Sequence, residues 1–222
     1  MCNHFRRPFS ALVPFLVPGV PEQIFHRSVG SSAEKIILED YLKHVGRRRV
    51  YPWNEKDFSD FTAGFANMTL YTSFLKDKNP DLSVSELLLM RVKGLRSIPD
   101  ICTHDEPRRT EYYEIKPNSD TGIAAGEEKL ANIDAFNSYF NLPYRAGRIY
   151  KPDNHEKIHS ATYHGIKTTA YFHYERKKNG LIVYEMCIEN HQDIFMPVAV
   201  AENMMCLYAL HWLGMRKFIS SN

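Results

Sequence analysis

Hydrophobic and polar positions along this chain change their period several times, and each change predicts an element. Helical patterning is read over Ser32–Val45 and again over Val198–Leu213, where Met204, Leu207, Tyr208 and Leu210 supply the apolar positions. The aromatic region Tyr51–Leu75 reads as helical in its second half, and Lys76-Asp77-Lys78-Asn79-Pro80 reads as a linker or turn. Two long strands, Thr168–Glu175 and Leu181–Ile188, flank Lys177-Lys178-Asn179-Gly180, whose Asn-Gly pair is a strong hairpin signal.

Between these lies a further helix, from about Ile123 to Phe140, preceded by the turn cluster Asn118-Ser119-Asp120-Thr121-Gly122. Its Ile123, Leu130, Ile133, Phe136 and Phe140 project within an arc of roughly 140°, a face suited to a sheet. Lys129 falls inside that arc. Either it lays its stem along the core and reaches solvent, or it has a partner on the sheet.

The segment from Arg96-Ser97-Ile98-Pro99-Asp100 to Glu114-Ile115-Lys116-Pro117 carries the candidate chemistry. Alternation puts Tyr112, Glu114 and Lys116 on one strand face and Tyr113 and Ile115 on the other. If Asp100 opposes Glu114 in an antiparallel pair, the turn centres on Pro107, within Asp105-Glu106-Pro107-Arg108-Arg109. Opposed residues have β-carbons roughly 4.5–5.5 Å apart, so the two carboxylates would repel unless a cation joins them. Hard oxygen ligands of this kind suit Mg²⁺. Lys116 emerges beside Glu114, where it could position a water or offset charge on a phosphate. The plain alternative is a solvated hairpin with ordinary cross-strand ion pairs. Against it stand Leu95, Ile98, Ile101, Tyr113 and Ile115, which make these apolar strands on which unpaired charge is costly.

At Pro99-Asp100 and Glu114-Ile115-Lys116 the chain resembles the PD-(D/E)xK nuclease superfamily. The resemblance implies an α/β fold, a restriction-endonuclease-like α/β/α core with a central mixed sheet flanked by helices. It implies that Asp100, Glu114 and the Ile115 carbonyl bind the catalytic metal, Mg²⁺ with Mn²⁺ able to substitute, and that Lys116 contacts the attacking water and the scissile phosphate. Relatives often bring a Gln or Lys from the following helix, which points to Lys129, although the Tyr-Glu-Ile-Lys-Pro variants would show Gln-Leu where this chain has Lys129-Leu130. A third acid often comes from an earlier helix. Glu86 is the nearest, but Ser83-Val84-Ser85-Glu86 is also a capping box, which explains it without metal; Glu39 and Asp40 are further candidates. The wording Tyr-Glu-Ile-Lys-Pro resembles toxin domains of secreted bacterial nucleases. That would imply an immunity or carrier protein as partner, and a location that is cytoplasmic or within a target cell.

With 222 residues, the chain is long enough for one large α/β domain. It is read as an N-terminal arm and helical accessory region over 1–80 and a core over 81–222. Net charge is only +2, so no global basic field advertises nucleic acid. Basic residues cluster locally at Arg47-Arg48-Arg49, Arg108-Arg109 and Arg176-Lys177-Lys178. Of these, Arg108 and Arg109 are the candidate phosphate contacts, because they tip the hairpin that carries the acids. Cysteines at 2, 102, 187 and 206 indicate neither a zinc site nor a disulfide framework, and Cys102 reads as packing. His155, His159, His164 and His173 form no established ligand spacing and are assigned to a polar loop and the strand after it. Residues 1–30 have a basic start and an apolar stretch, yet three prolines interrupt it and no Ala-x-Ala follows. They read as an extended arm packing on the domain or the scar of a larger protein. No run reaches the roughly 18 apolar residues of a spanning helix.

The expected function is a metal-dependent nuclease acting on DNA in preference to RNA, with no membrane partner. The alternatives are a non-catalytic nucleic-acid- or protein-binding module on a nuclease-like scaffold and a structural α/β subunit.

Overall fold

The computed structural model describes residues 5–7, 22–44, 61–63, 68–83, 85, 97–105, 109–163, 166–190 and 198–213. The strands are β1 (Phe5–Arg7), β2 (Phe61–Ala63), β3 (Ile101–Asp105), β4 (Arg109–Pro117), β5 (Arg145–Ala146), β6 (Asp153–Tyr163), β7 (Ile166–Lys178) and β8 (Leu181–Asn190). The helices are α1 (Glu22–His44), α2 (Met68–Lys78), α3 (Asp120–Tyr139) and α4 (Val198–Trp212). The chain is thus mixed α/β, built on one curled mixed sheet.

Strand order is β2-β3-β4-β8-β7-β6, with β1 added to β8 and β5 to β4. The β4–β8 and β4–β5 pairs are parallel; the other pairs are antiparallel. Alternation along the strands separates two cores. Tyr113 and Ile115 join Ile182, Tyr184, Phe172, α1 and α4 on one face. Tyr112 joins Leu181, Val183, α2 and α3 on the other. Helices therefore lie against both faces, and α1 and α2 share these cores with the later elements. Among the described residues, no helix is long and apolar enough to cross a membrane.

Local chemistry explains most element ends. Ser119 is the N-cap of α3, its hydroxyl accepting from the Gly122 amide at 3.1 Å, so the helix starts three residues earlier than the turn cluster suggests. Its Leu130, Ile133 and Phe136 are buried, with Ile123 and Phe140 packed beside them. Gly180, at φ 74°, completes the β7–β8 hairpin in the left-handed conformation that glycine adopts freely.

Four sequence expectations are corrected. The α1 helix begins at Glu22, not near Ser32, and among the described residues of 1–30 the extended part is β1, which pairs with β8. The helix α2 continues through Lys78, and Lys76 closes the turn beyond it by donating to the Pro80 carbonyl at 2.8 Å. The polar stretch 153–163 is a strand: at the sheet edge, β6 satisfies its backbone through β7 and needs no alternating apolar face. Cys187 is disulfide-bonded, whereas Cys102 and Cys206 are buried and form no disulfide.

The turn after β5 is locked by an aromatic contact. A β-carbon on Gly147 would lie 2.0 Å from the Tyr113 ring, which is fully buried against Tyr41 and Tyr150 at centroid distances of 5.6 and 5.9 Å. Gly147→Ala should therefore destabilise the fold by about 1–3 kcal/mol, as overpacking does. Urea denaturation measures this, and an unchanged midpoint would show that the ring has room to move.

Candidate functional site

The β3–β4 hairpin has the register expected from its sequence. Ile101 pairs with Tyr113 and Asp105 with Arg109, which centres the turn on residue 107 and brings Asp100, one step before β3, opposite Glu114. Asp100 does not extend the ladder through its backbone. Instead its Oδ2 accepts from the Ile115 amide at 2.7 Å. Glu114 is held from the other side, its own amide donating to the Gly180 carbonyl at 2.7 Å where β4 runs beside β8.

Glu114 is fully buried, and the groups that meet its carboxylate are ammoniums. Lys116 bonds Oε1, and its Nζ also lies 3.3 Å from the Ile115 carbonyl. Lys129 reaches in from α3, 2.7 Å from both Oε1 and Oε2 and 3.5 Å from Asp100 Oδ1. The hydrogen bond of Lys129 goes to Oε1, so Oε2 is buried without a well-formed hydrogen bond. Gly126 makes room for this approach: a β-carbon there would lie 2.6 Å from Leu181 and 3.2 Å from the Lys116 side chain.

Burial, and then the neighbouring Asp100, push the Glu114 carboxyl up to about 8 against the pull of the two lysines. Burial disfavours the Lys129 ammonium, but Asp100 and Glu114 outweigh it and its affinity for the proton is raised. A third carboxyl belongs to the same field. Glu34 of α1 is raised by burial and by Asp100, and is lowered by Lys116 and Lys129. Three acids and two lysines thus converge from α1, the lead into β3, β4 and α3.

Glu34 was not among the acids singled out from the sequence. It lies on the border of the buried stripe Val29, Ala33, Ile37 and Tyr41, the position that spacing alone also gives to Asp40. Asp40 is committed elsewhere, accepting from the Tyr150 hydroxyl at 2.6 Å and the Asn154 amide at 2.9 Å. Which border residue faces the acids depends on how α1 crosses the sheet, and the sequence does not state that. Glu86, Arg108 and the side chain of Arg109 lie outside the described residues, as do Arg47-Arg48-Arg49 and Leu95. In the third basic cluster, Lys178 pairs with Glu127 of α3 and Arg176 donates to the Arg148 carbonyl. Cys102 is core packing beside Tyr112, its thiol pushed up by burial. A cleft of about 590 Å³ beside β5, with Glu111, Asp134, Arg145 and Arg148 in its wall, includes none of the acid and lysine residues.

The donor set can be tested against a hard divalent cation. Glu34 acts on Asp100 through its charge and does not form with Asp100 and Glu114 a cluster of ligand atoms within 4.8 Å of one another. The carboxylate oxygens of Asp100 and Glu114, one of them buried without a hydrogen bond, and the Ile115 carbonyl beside them are oxygen ligands of the kind such an ion takes. They fit Mg²⁺. No family model matches the chain, and neither does any curated protein or solved structure.

The raised carboxyl gives a pH prediction for metal-free protein. Glu114 favours the folded state below its ordinary value of 4.5 and loses that contribution as pH climbs towards about 8. Glu114→Gln mimics the protonated form. Its melting temperature relative to the unsubstituted protein, measured in EDTA, should therefore rise across this interval. A flat difference would mean that the two lysines fully compensate the buried charge.

Proposed function

We propose that this protein is a Mg²⁺-dependent nuclease that hydrolyses phosphodiester bonds of DNA on a restriction-endonuclease-like core. The observation that carries the proposal is the buried Glu114 carboxylate, joined to Asp100 through one lysine, paired with a second, and left with an oxygen that lacks a well-formed hydrogen bond. A charge is not placed inside a sheet without compensation, and such placements cluster at functional sites. Helices on both faces of a mixed sheet, with the acids on a hairpin and a lysine from the next helix, agree with the core that the Pro99-Asp100 and Glu114-Ile115-Lys116 resemblance implies.

On this reading Asp100, Glu114 and the Ile115 carbonyl hold the ion, and Glu34 adds negative charge beside them. When bound, the ion supplies Lewis-acid polarisation of the phosphate and a more acidic water. The residues of the chain do the rest. Lys116, one residue beyond the Ile115 carbonyl, orients the attacking water by donating to its oxygen. Lys129 donates to a non-bridging phosphate oxygen and offsets the charge that builds up as the water oxygen bonds to phosphorus. One phosphorus–oxygen bond forms and one breaks. The water divides its protons between the departing sugar oxygen and solvent, which leaves a hydroxyl and a phosphomonoester. The buried setting of Glu114 strengthens these interactions, because little water competes for them. A toxin-type setting with an immunity partner is the corresponding biological proposal, carried by Tyr-Glu-Ile-Lys-Pro.

Plasmid DNA and RNA incubated with Mg²⁺ or with EDTA provide the test. DNA should be cut only with Mg²⁺, and Asp100→Asn and Lys116→Ala should each lower the rate by about 10²-fold or more. Lys129→Met, which keeps the stem and removes the charge, should lower turnover, and in EDTA it should also lower the melting temperature at pH values where Glu114 is ionised, because the buried carboxylate loses one of its two ammoniums. Cleavage that survives both EDTA and Asp100→Asn would refute the assignment, and RNA cut in place of DNA would change the substrate.

A further inference from the structure

A second group of ligating side chains lies on β6 and β7, outside the acid–lysine cluster. His155 and His173 oppose each other across the antiparallel pair, with ring centroids 4.2 Å apart and planes at 23°. Asp153, two residues before His155, faces the same way. Asp153, His155 and His173 each offer one ligand atom, and the three atoms lie within 4.8 Å of one another. Their numbering hides this, because the two histidines are brought together by strand pairing and not by a short sequence interval.

What lies behind His173 distinguishes the group from a chance surface cluster. His173 is 2% exposed, and its Nδ1 lies 3.0 Å from Oε1 of the buried Glu185 on β8. The other oxygen of Glu185 accepts from the Asn118 side-chain amide at 2.9 Å. Asn118 thus holds Glu185, whose carboxylate accepts a hydrogen bond from the Nδ1–H of His173. The Nε2 lone pair of a neutral His173 then faces Asp153 Oδ1 at 3.4 Å. Two electron pairs pointed at each other repel unless a cation stands between them. A carboxylate behind a histidine, fixing its tautomer and directing the free nitrogen outward, is how proteins support imidazole ligands to metals.

We propose that Asp153, His155 and His173 bind one divalent transition-metal ion of the Zn²⁺ type, with Glu185 and Asn118 as positioning residues for His173. Two imidazole nitrogens and one carboxylate select an ion of this class over Mg²⁺, which takes oxygen ligands. Three protein ligands leave a coordination position for water. The ion fastens the edge strand β6 to β7 and, through Glu185, to β8. This inference is independent of the nuclease reading.

The experiment uses the full chain, stripped with chelator, exchanged into chelator-free buffer and titrated with Co²⁺ and Zn²⁺ in excess Mg²⁺. One equivalent of Co²⁺ should bind with the visible absorption of a low-coordinate site, Zn²⁺ should displace it, and Zn²⁺ should raise the melting temperature. Asp153 and His155 are exposed, so Asp153→Asn and His155→Gln should fold while losing at least about tenfold in Zn²⁺ affinity. Glu185→Gln should lose about 10–100-fold without removing any ligand. Asp100→Asn should bind as the unsubstituted protein does. Absence of binding, equal Zn²⁺ affinity in Asp153→Asn and His155→Gln, or loss of the equivalent in Asp100→Asn would overturn the site.

Discussion

A carboxylate buried inside a sheet is the constraint around which the rest of this structure is arranged. Glu114 occupies β4 where that strand is covered by β3 on one side, β8 on the other and α3 above. Removing an ionised carboxylate from water costs several kcal/mol unless partners replace the solvent. Here the replacement comes as two ammoniums, one local to the strand and one that depends on distant packing. Lys116 follows two residues along the same strand, while Lys129 arrives only because Gly126 lets α3 settle onto Leu181. The left-handed turn at Gly180 serves the same position, since its carbonyl receives the Glu114 amide. The hairpin, the helix and the parallel β4–β8 pair therefore meet in one charged group.

The same strand holds a second buried carboxylate, and the contrast shows what is unusual about Glu114. Glu111 Oε1 accepts from the backbone amides of Arg148 and Ile149 at 2.7 and 3.2 Å, and Oε2 accepts from the Tyr113 hydroxyl at 2.8 Å. Tyr113 in turn accepts from the Tyr150 amide at 3.0 Å. Each oxygen of Glu111 has a neutral, directional donor, and the outcome is a fixed loop. At Glu114 the partners are mobile-ended cations and one oxygen lacks a well-formed hydrogen bond. Neutral amide donors fit a structural role, because they lock a carboxylate in place and leave nothing to exchange. Ammoniums can release a carboxylate to another cation or turn to a phosphate. Three acids against two lysines also leave the group with one net negative charge when all are ionised.

Much of this was legible in the sequence, for identifiable reasons. The hairpin register followed from counting outward from Pro107, because a short antiparallel pair leaves no freedom once its turn is placed. Lys129 stood out because a charge within an apolar helical arc needs a partner. The Asn179-Gly180 turn and the α3 core face were readable because turn chemistry and helical period are local properties. What was not legible is tertiary. Glu34 and Asp40 both adjoin buried positions of one helix, and only the crossing of α1 over the sheet decides that Glu34 lies in the field of Asp100 while Asp40 accepts from Tyr150. The sequence pattern places the helix over Ser32–Val45, yet α1 runs through Gly30 from Glu22, with the Tyr184 hydroxyl 3.7 Å from where a β-carbon on Gly30 would lie. The strand β6 was hidden by its composition, because an edge strand draws its order from its neighbour.

Missing β6 also hid the histidines, since residues read as loop have no face and no opposite number. Once β6 is placed, the sheet shows a division along its own surface. The face that α3 covers over β4 and the start of β8 is apolar apart from the acid and lysine group. Beyond it, Glu185, His173, His155 and Asp153 continue that face outward over β7 and β6. Asn118 ties the two regions together: it stands two residues after Lys116, at the start of the turn into α3, and holds Glu185. The segment that sets Lys116 beside Glu114 is thus anchored to the polar stripe as well as to the helix it introduces. A change that loosens Glu185 will act on the first group through the backbone of 116–118, with no charge in common.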